Sequence, residues 1–293
     1  MAVAIVIAAL VLLSIAFQLL TPWWLTPLAS NWGSIDTALD ITMWVCGFFF
    51  VVLNLFLAYS IYRYRHRQGH RAHYDPESVA LERRLTVWTA IGIAALLAPG
   101  LIAWKEFVTV PKDASVFEAV GQQWQWSYRF PGQDGVLGTV NSRQISPDNP
   151  FGLNPEDPFA RDDILVESNE VHLPRGRPIK AVLRSKDVLH DFFVPQIRAK
   201  MDLVPGMVTY FWFTPTRTGT FDILCVELCG VGHYSMRGVM VVDEQPAFEA
   251  WLSQQPTFAQ AMADAGRALP ADAAQATGAG EQQPITPPAT RMN

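Results

Sequence analysis

The sequence predicts a membrane-anchored protein of mixed α and all-β class, in which transmembrane helices precede an antiparallel β-sandwich or barrel. Half of the 293 residues are hydrophobic and only 17% are charged, which is low in charge for a soluble protein. Three long apolar stretches lie within residues 1–104. Beyond them the chain changes to short runs rich in β-branched and aromatic residues, a pattern typical of strands.

The apolar stretches predict transmembrane helices, because each is near the roughly 20 residues that a helix needs to cross the hydrocarbon layer. They cover Ala2–Leu20, about 41–62 and about 85–104. An arginine-rich segment, residues 63–84, joins the second stretch to the third, and the positive-inside tendency places this loop in the cytoplasm. Residues 36–104 are therefore predicted to form a transmembrane helical hairpin, with the following domain on the outer side.

Residues 1–30 fit two interpretations, an extra transmembrane helix or a secretory signal peptide. A signal peptide begins with basic residues, has a short apolar core and ends at small residues. Here no Lys or Arg follows Met1 and the core is long, although Leu28-Ala29-Ser30 would suit cleavage. The pattern slightly favours a retained helix. Within the second stretch, Cys46 is predicted to be a buried small hydrophobe.

Residues 105–253 are predicted to form the β-domain, because alternating apolar segments are separated there by Pro and Gly. The turn-rich residues 131–163 form a long excursion from this scaffold. Residues 254–293 are assigned to a C-terminal tail and predicted to be disordered, since an end rich in Ala, Gln, Pro and Gly cannot bury a core.

The charge distribution also separates the two parts of the chain. The loop at 63–84 is basic, whereas acidic residues outnumber basic ones from Lys105 onward. This asymmetry places the two regions on opposite sides of a membrane. No basic surface suited to phosphates is evident, which argues against nucleic-acid binding.

One segment carries the chemistry of a metal site. It reads Cys225-Val-Glu-Leu-Cys229-Gly-Val-Gly-His233-Tyr-Ser-Met236 and holds two thiols, an imidazole and a thioether. Soft sulfur ligands with imidazole suit copper that cycles between two oxidation states. The intervening glycines allow the loop to bend sharply, since glycine accepts backbone angles closed to other residues.

Three other interpretations of this segment stay open on the residues alone. A structural zinc site generally takes four Cys or His ligands, and a thioether is a poor zinc ligand. A blue-copper site needs one Cys, two His and a weak Met, which leaves one thiolate too many here. A disulfide would suit an oxidising compartment but would not explain His233 and Met236. The donor types favour a two-copper centre.

The CxExCxxxHxxM pattern resembles the binuclear copper (CuA) motif of cytochrome c oxidase subunit II. Three further segments support the resemblance: DVLHDFFVP at 187–195, KMDLVPG at 200–206 and the aromatic run QWQWSY at 123–128. With the helical hairpin, the similarity covers about residues 36–253. It implies that the β-domain is a cupredoxin-like sandwich.

The resemblance implies specific roles for individual residues. The CuA ligands would be two thiolates, two imidazoles, a thioether and one backbone carbonyl, from Cys225, Cys229, His190, His233, Met236 and Glu227. The Glu227 carboxylate would also help to bind magnesium at the interface with the partner subunit. Trp124 would be the position at which an electron arrives from cytochrome c. Trp126 and Tyr128 are predicted to share its strand face and pack around the copper loop.

The implied function is that of the electron-transfer subunit of a terminal cytochrome c oxidase, an enzyme as a complex. The subunit would pass electrons to haem in subunit I, supporting oxygen reduction to water and proton pumping. Expected partners are subunit I, subunit III, the lipid membrane and a separate cytochrome c, since no CxxCH motif follows the β-domain. The acidic domain suits a cationic face on that donor. The expected location is a bacterial inner membrane, with the CuA domain in the periplasm.

Other functions on related scaffolds are less consistent with the residues. A quinol oxidase subunit would lack the copper ligands, and nitrous oxide reductase usually has tryptophan at the position of Glu227. A copper-delivery protein rarely needs six ligands around a bridged pair. The CuA subunit of a nitric oxide reductase is the main alternative.

The match to the family pattern is incomplete at two positions. Leu85 stands where many members have the glutamate of LExxWT, and Gln125 stands where an aromatic residue is common. No proton-pathway role is therefore assigned to the nearby Glu82. Asp187 and Asp191, which flank His190, are predicted to orient His190 or Arg184.

Overall fold

The computed structural model describes residues 1–21, 26–69, 71 and 76–270. Three helices in this part of the chain are long and apolar enough to cross a membrane: α1 (Ala2–Leu20), α2 (Gly33–Arg63) and α3 (Val79–Val108). At ~1.5 Å per residue, α2 and α3 are each about 45 Å long, longer than the ~30 Å hydrocarbon core. They therefore extend beyond the apolar runs seen in the sequence and reach the outer domain.

Helix α1 packs against α2 through small side chains. Ala4 and Val11 of α1 and Ala58 of α2 are the buried residues of these helices, and small residues allow close helix contact in a membrane. A helix at Ala2–Leu20 fits both interpretations of residues 1–30, so retention of α1 stays a prediction.

Cys46 is exposed on α2, so its predicted burial is wrong. The prediction assumed that an apolar run packs inside the protein. In a transmembrane helix, however, apolar side chains also face lipid or a partner subunit.

The outer domain is a sandwich of two five-stranded sheets. The first sheet has the order β3-β2-β1-β5-β8 and the second β4-β10-β9-β6-β7. The strands are β1 (Ser115–Gln122), β2 (Gln125–Phe130), β3 (Ile164–Val166), β4 (Glu170–Pro174), β5 (Ile179–Ser185), β6 (His190–Val194), β7 (Ala199–Leu203), β8 (Thr209–Phe213), β9 (Gly219–Cys225) and β10 (Arg237–Asp243). The predicted sandwich is confirmed, and most strand pairs are antiparallel. Each sheet also contains one parallel pair, β1 with β5 and β4 with β10.

Alternating strand residues fill the space between the two sheets. The alternation follows from the two-residue period of a strand, which directs every second side chain inward. Among the fully buried large side chains are Phe117, Trp126, Tyr128, Leu173, Phe192, Phe211 and Phe213. The metal-site segment lies at one end of this core, between β9 and β10.

The excursion at 131–163 packs with the second of two C-terminal helices on one side of the sandwich. Helices α4 (Gln245–Leu252) and α5 (Phe258–Asp264) follow β10. Phe258 and Met262 of α5 form a second small core with Phe151, Leu153 and Ala160. This core explains how a long stretch poor in regular structure is held in place.

Helix α5 corrects the assignment of all of residues 254–293 to a disordered tail. The Thr257 hydroxyl accepts a hydrogen bond from the Gln260 N–H at 3.3 Å, and the Gln260 side chain accepts one from the Thr257 N–H at 2.8 Å. This capping box satisfies two helix-end donors, and residues four apart then share one apolar face. Residues 271–293, the rest of the predicted tail, lie outside the described residues.

A buried ionic network joins the excursion to the sheet. Arg129 pairs with Glu118 at 2.9 Å and with Asp163 at 2.6 Å, and Arg184 pairs with Glu118 at 2.6 Å. Arg129 also donates to the Gly138 carbonyl at 2.8 Å. Burial raises the pKa of Asp163 to about 7, although Arg129 and the Gly138 N–H lower it. Desolvation therefore outweighs the ion pair for this carboxyl group.

We expect Asp163→Asn to flatten the pH dependence of stability. Between about pH 4 and 7 the folded state retains the Asp163 proton that the unfolded chain releases, so the free energy of unfolding falls as pH rises through this range. The effect is on the order of 1–4 kcal/mol. Thermal unfolding of the detergent-solubilised chain at pH 5 and pH 7.5 measures it. An equal pH-dependent shift in Tm for the variant and the wild type would contradict the role of Asp163.

Candidate metal centre

The candidate ligands from the motif lie on one loop between two paired strands. Cys225 is the last residue of β9, and Met236 directly precedes β10. The Cys225 N–H donates to the Met236 carbonyl at 3.3 Å, which closes the loop at its base. His233 begins a short 3-10 turn inside it. The pairing of β9 with β10 therefore brings the two ends of a twelve-residue segment together.

The histidine outside the motif arrives through strand pairing. His190 begins β6, which pairs with β9 so that Phe192 lies opposite Cys225. The His190 Nδ1 atom is 3.9 Å from the Cys225 Sγ atom. Sheet topology thus places a side chain from 35 residues earlier beside the loop.

The six predicted ligand groups come together around two sulfur atoms. The Cys225 and Cys229 Sγ atoms are 3.7 Å apart. The Glu227 carbonyl oxygen is 3.3 Å from the Cys225 sulfur. On the other side, His233 Nδ1 is 3.6 Å and Met236 Sδ is 3.9 Å from the Cys229 sulfur. Each sulfur therefore has its own imidazole and one further donor.

Most of the centre is shielded from solvent. His190, Cys225, Cys229 and Met236 are buried, whereas His233 is half-buried and lies nearer the surface. The nearest donor atoms of His190, Cys225 and Cys229 lie within 4.8 Å of one another, close enough to hold a metal ion. Buried soft ligands at this spacing favour a copper site.

The two thiols differ in acidity although they are chemically identical. Burial raises the pKa of Cys225, but hydrogen bonds from His190 and the backbone of Asp191 and Glu227 outweigh burial and bring it to about 6. Burial and the adjacent Cys225 sulfur raise the pKa of Cys229 to about 12. Two thiolates 3.7 Å apart repel each other, so one ionises easily and the second resists. Cations in contact with both sulfurs would remove this repulsion, which makes the donor set fit a metal centre.

A chain of hydrogen bonds fixes the His190 ring. Its Nε2 atom is 2.8 Å from the Asp187 Oδ1 atom, and the other Asp187 oxygen accepts from the Gln123 N–H at 2.7 Å. The Trp126 ring lies against the imidazole, with the centroids 6.4 Å apart. Because Asp187 holds Nε2, Nδ1 faces the sulfur atoms, as expected for a ligand oriented by a carboxylate.

The two flanking aspartates have different partners. Asp187 orients His190, as predicted, but the Asp191 side chain forms no hydrogen bond or ion pair with His190 or Arg184. Asp191 instead pairs with Lys200 at 2.7 Å, and Arg184 pairs with Glu118. The reason is strand geometry: Asp191 follows His190 in β6, so the two side chains project to opposite faces.

Trp124 lies on the outer side of the same loop. It occupies the turn between β1 and β2, is 36% exposed, and its Nε1–H donates to the Cys229 carbonyl at 3.3 Å. Trp126 and Tyr128 belong to β2 and are buried. The prediction that Trp124 shares a strand face with Trp126 and Tyr128 is therefore wrong, because Trp124 lies in the turn before β2 begins. Trp126 does contact His190, as the packing prediction required.

Glycines in the loop serve two different purposes. Gly230 has φ +117°, a region that favours glycine, as predicted for a sharp bend. Gly232 has φ −92°, so the bend does not require it. A Cβ atom there would lie 2.3 Å from the Trp124 ring. Gly232 therefore allows the indole to lie flat against the loop.

Gln123 is a functional neighbour that the sequence analysis did not single out. Its Nε2 donates to the Cys229 carbonyl at 2.8 Å, while its N–H binds Asp187. It thus connects the Cys229 side of the centre to the His190 side. In the sequence, only its position at the start of the aromatic run could have indicated that Gln123 lies beside the site.

The fold and the site together define a class of protein: a membrane-anchored, cupredoxin-like domain with a sulfur and imidazole metal site. The family model for the periplasmic domain of cytochrome c oxidase subunit II matches residues 115–243. A relative in Bradyrhizobium diazoefficiens, named alternative cytochrome c oxidase subunit 2, is 55% identical over 259 residues, covering 88% of this chain and 94% of the relative. The chain belongs to the cytochrome c oxidase subunit II family, and is therefore part of an oxidoreductase complex.

Other relatives are more distant. Cytochrome c oxidase subunit 2 of Cereibacter sphaeroides is 26% identical over 234 residues, covering 72% of this chain and 75% of the relative. The crystal structure of the periplasmic domain of subunit II of cytochrome oxidase (CoxB) of Bradyrhizobium japonicum is 28% identical, with a TM-score of 0.37. That alignment covers 50% of this chain and 95% of the crystallised chain.

Proposed function

We propose that this chain is the electron-transfer subunit of a terminal cytochrome c oxidase and binds a binuclear CuA centre. The observation that carries the proposal is the arrangement of four donors in two sets around a shared pair of sulfurs. His190 and the Glu227 carbonyl lie beside Cys225, whereas His233 and Met236 lie beside Cys229. Two sets of terminal donors joined by two sulfurs suit two metal ions better than one.

The alternatives raised from the sequence fit this arrangement less well. A disulfide requires sulfur atoms about 2.05 Å apart, and these are 3.7 Å apart. Zinc is bound by Cys, His and carboxylate ligands, so a zinc site does not explain the buried thioether of Met236. A blue-copper site would leave one of the two thiols unused.

The ligand-bearing residues would hold the copper ions in a rigid and shielded site. When bound, a copper pair would supply one-electron redox chemistry between cytochrome c and haem in subunit I. Asp187 orients His190 through Nε2, and Gln123 holds the Cys229 carbonyl. Trp124 offers a half-exposed ring whose Nε1–H is bonded to the backbone of a ligand residue. This contact gives the electron a short, hydrogen-bonded route from the surface.

The same proposal includes a magnesium ion and several partners. Glu227 presents its carbonyl to Cys225, and its half-buried carboxylate makes no hydrogen bond or ion pair within the described residues. That carboxylate could help to hold magnesium where subunit I docks. Further expected partners are subunit III and cytochrome c in a bacterial inner membrane, with oxygen reduction and proton pumping in the whole complex.

Electron paramagnetic resonance of the copper-loaded full chain in detergent tests the proposal. We expect a purple protein with two copper ions per chain and a mixed-valence spectrum showing one electron shared over two copper nuclei. A spectrum from one isolated copper, or zinc retained in preference to copper, would contradict it. Oxygen consumption by the assembled complex, compared with nitric oxide consumption, separates the oxidase from the nitric oxide reductase alternative.

We expect Asp187→Asn to weaken copper binding without unfolding the domain. The amide cannot supply the charged acceptor that fixes His190, and loss of such a partner typically lowers metal affinity about 10- to 100-fold. Competition against a copper chelator measures the affinity. Asp148→Asn is the control, because Asp148 forms an exposed ion pair with Arg267 in the distant excursion. Equal copper affinity in the two variants would show that Asp187 does not support the centre.

A further inference from the structure

The segment between α1 and α2 is built into the outer domain. Ala29, Ser30 and Trp32 are each at most 3% exposed. The Ala29 N–H donates to the Gln196 carbonyl at 2.8 Å, and the Thr216 N–H donates to the Ala29 carbonyl at 2.9 Å. The residues leading into α2 therefore lie between two loops of the sandwich.

Arg198 is the charged centre of this contact. It lies at the corner between β6 and β7, and its Nε and Nη2 atoms bind the two carboxylate oxygens of Asp36 at 2.7 and 3.1 Å. Nη1 donates to the Pro195 carbonyl at 2.6 Å, and Nη2 also donates to the Thr26 carbonyl. The arginine side chain is only 8% exposed. Such a two-pronged pair requires the planar guanidinium fork, which lysine lacks.

The backbone of Arg198 is unusual in a way that points to function. Its φ is +64°, and it is the one non-glycine residue with positive φ in the described part of the chain. Glycine, asparagine and aspartate occupy this region at lower cost. A residue held in an unfavourable conformation warrants a functional explanation, and the contacts to Asp36 and Thr26 provide one.

A second contact attaches the sandwich to both helices of the hairpin. Trp32, the residue before α2, packs against Trp212 of β8 and Phe107 of α3, with ring centroids 4.8 and 5.4 Å apart. Trp212 Nε1 donates to the Glu106 carbonyl of α3 at 3.0 Å. Aromatic packing therefore attaches β8 to the hairpin, whereas the pair of Arg198 with Asp36 attaches the end of β6.

We propose that Arg198 is a positioning residue that fixes the metal centre relative to the membrane hairpin, an inference that rests on the proposed function. β6 begins with His190 and ends at Val194, about 13 Å away at the rise of an extended strand, next to the Arg198 corner. Arg198 therefore ties the strand that carries a ligand to the first turn of α2. Electron transfer falls steeply with distance, so a loosened domain would pass electrons to the partner's haem more slowly.

Rapid kinetics of the purified oxidase complex test this role, because they separate two electron-transfer steps. For Arg198→Ala we expect transfer from copper to haem to slow at least about threefold, since a misplacement of about 1 Å can slow the reaction in a pre-organised site about 100-fold. Reduction of copper by cytochrome c and the copper spectrum should not change, since Arg198 touches neither Trp124 nor a ligand. Arg267→Ala, which removes an exposed ion pair in the same domain, is the control.

Variants of both Arg198 and Asp36 distinguish loss of the ion pair from misfolding of the sandwich. Asp36→Asn lies outside the sandwich and should slow the same step to a similar degree. The double variant should be no slower than Arg198→Ala, and Arg198→Lys should restore part of the rate. Wild-type transfer from copper to haem in Arg198→Ala and in Asp36→Asn would overturn the inference. A wild-type complex without a two-copper spectrum would instead refute the proposed function itself.

Discussion

Replacing Cys229 with serine is expected to abolish the two-copper centre. The Cys229 sulfur is within 4 Å of Cys225, His233 and Met236, so it is the donor that joins the two ligand sets. A serine hydroxyl is a hard donor that stays protonated at neutral pH and binds copper poorly. The loss of affinity should exceed the roughly 100-fold effect of losing a supporting group. Copper analysis and paramagnetic resonance of the full chain would measure the effect.

Electron transfer from cytochrome c in the assembled oxidase should be lost together with the mixed-valence spectrum. The fold should survive, since serine is close to isosteric and burying its hydroxyl costs only about 1–3 kcal/mol. Cys46→Ser is the matched control, because Cys46 is exposed on α2 and far along the chain from the loop. Two bound coppers with an unchanged spectrum in Cys229→Ser would refute the ligand assignment.

The placement of the loop donors could be predicted because they are local in sequence. Cys225 is the last residue of β9, and Met236 directly precedes β10. Because these strands are neighbours in the chain, the short spacing alone brings the sulfur and imidazole donors of the segment together. His190 is different, since its place depends on the pairing of β6 with β9. Composition does not reveal that pairing. The histidine was identified only through the resemblance of its surrounding segment to a known family.

Contacts between distant segments could not be predicted from one sequence. The link from Gln123 through Asp187 to His190 begins with a hydrogen bond between residues 64 positions apart. The pair of Arg198 with Asp36 joins residues separated by 162 positions. Each depends on the final sheet topology, and an isolated charged or amide residue carries no sign of its partner.

Some errors had local causes. The capping box of Thr257 and Gln260 was readable in the sequence, but the Ala- and Gln-rich composition around it suggested a tail. Cys46 was misplaced because burial rules for water-soluble proteins do not hold for a helix surrounded by lipid. Trp124 was assigned to a strand because the aromatic run continues across the turn into β2.

Replacing Trp124 with alanine is expected to slow the reduction of copper by cytochrome c at least about tenfold, because the reacting groups lose their close approach. The indole is the half-exposed aromatic side chain whose ring nitrogen is bonded to the Cys229 carbonyl. The copper spectrum should not change, since all six proposed ligand groups come from other residues. Stopped-flow mixing of reduced cytochrome c with the oxidase measures the rate.

Two control variants separate electron transfer from docking. Trp124→Phe keeps an aromatic ring but cannot donate to the Cys229 carbonyl, so its rate should lie between those of alanine and wild type. Tyr234→Ala removes another aromatic side chain of the same loop, one that is 86% exposed and makes no hydrogen bond from its side chain in the described residues. It should change the cytochrome c concentration at half-maximal rate more than the limiting rate. A wild-type limiting rate in Trp124→Ala would show that electrons reach the centre by another route, and the half-buried His233 would then be the next position to test.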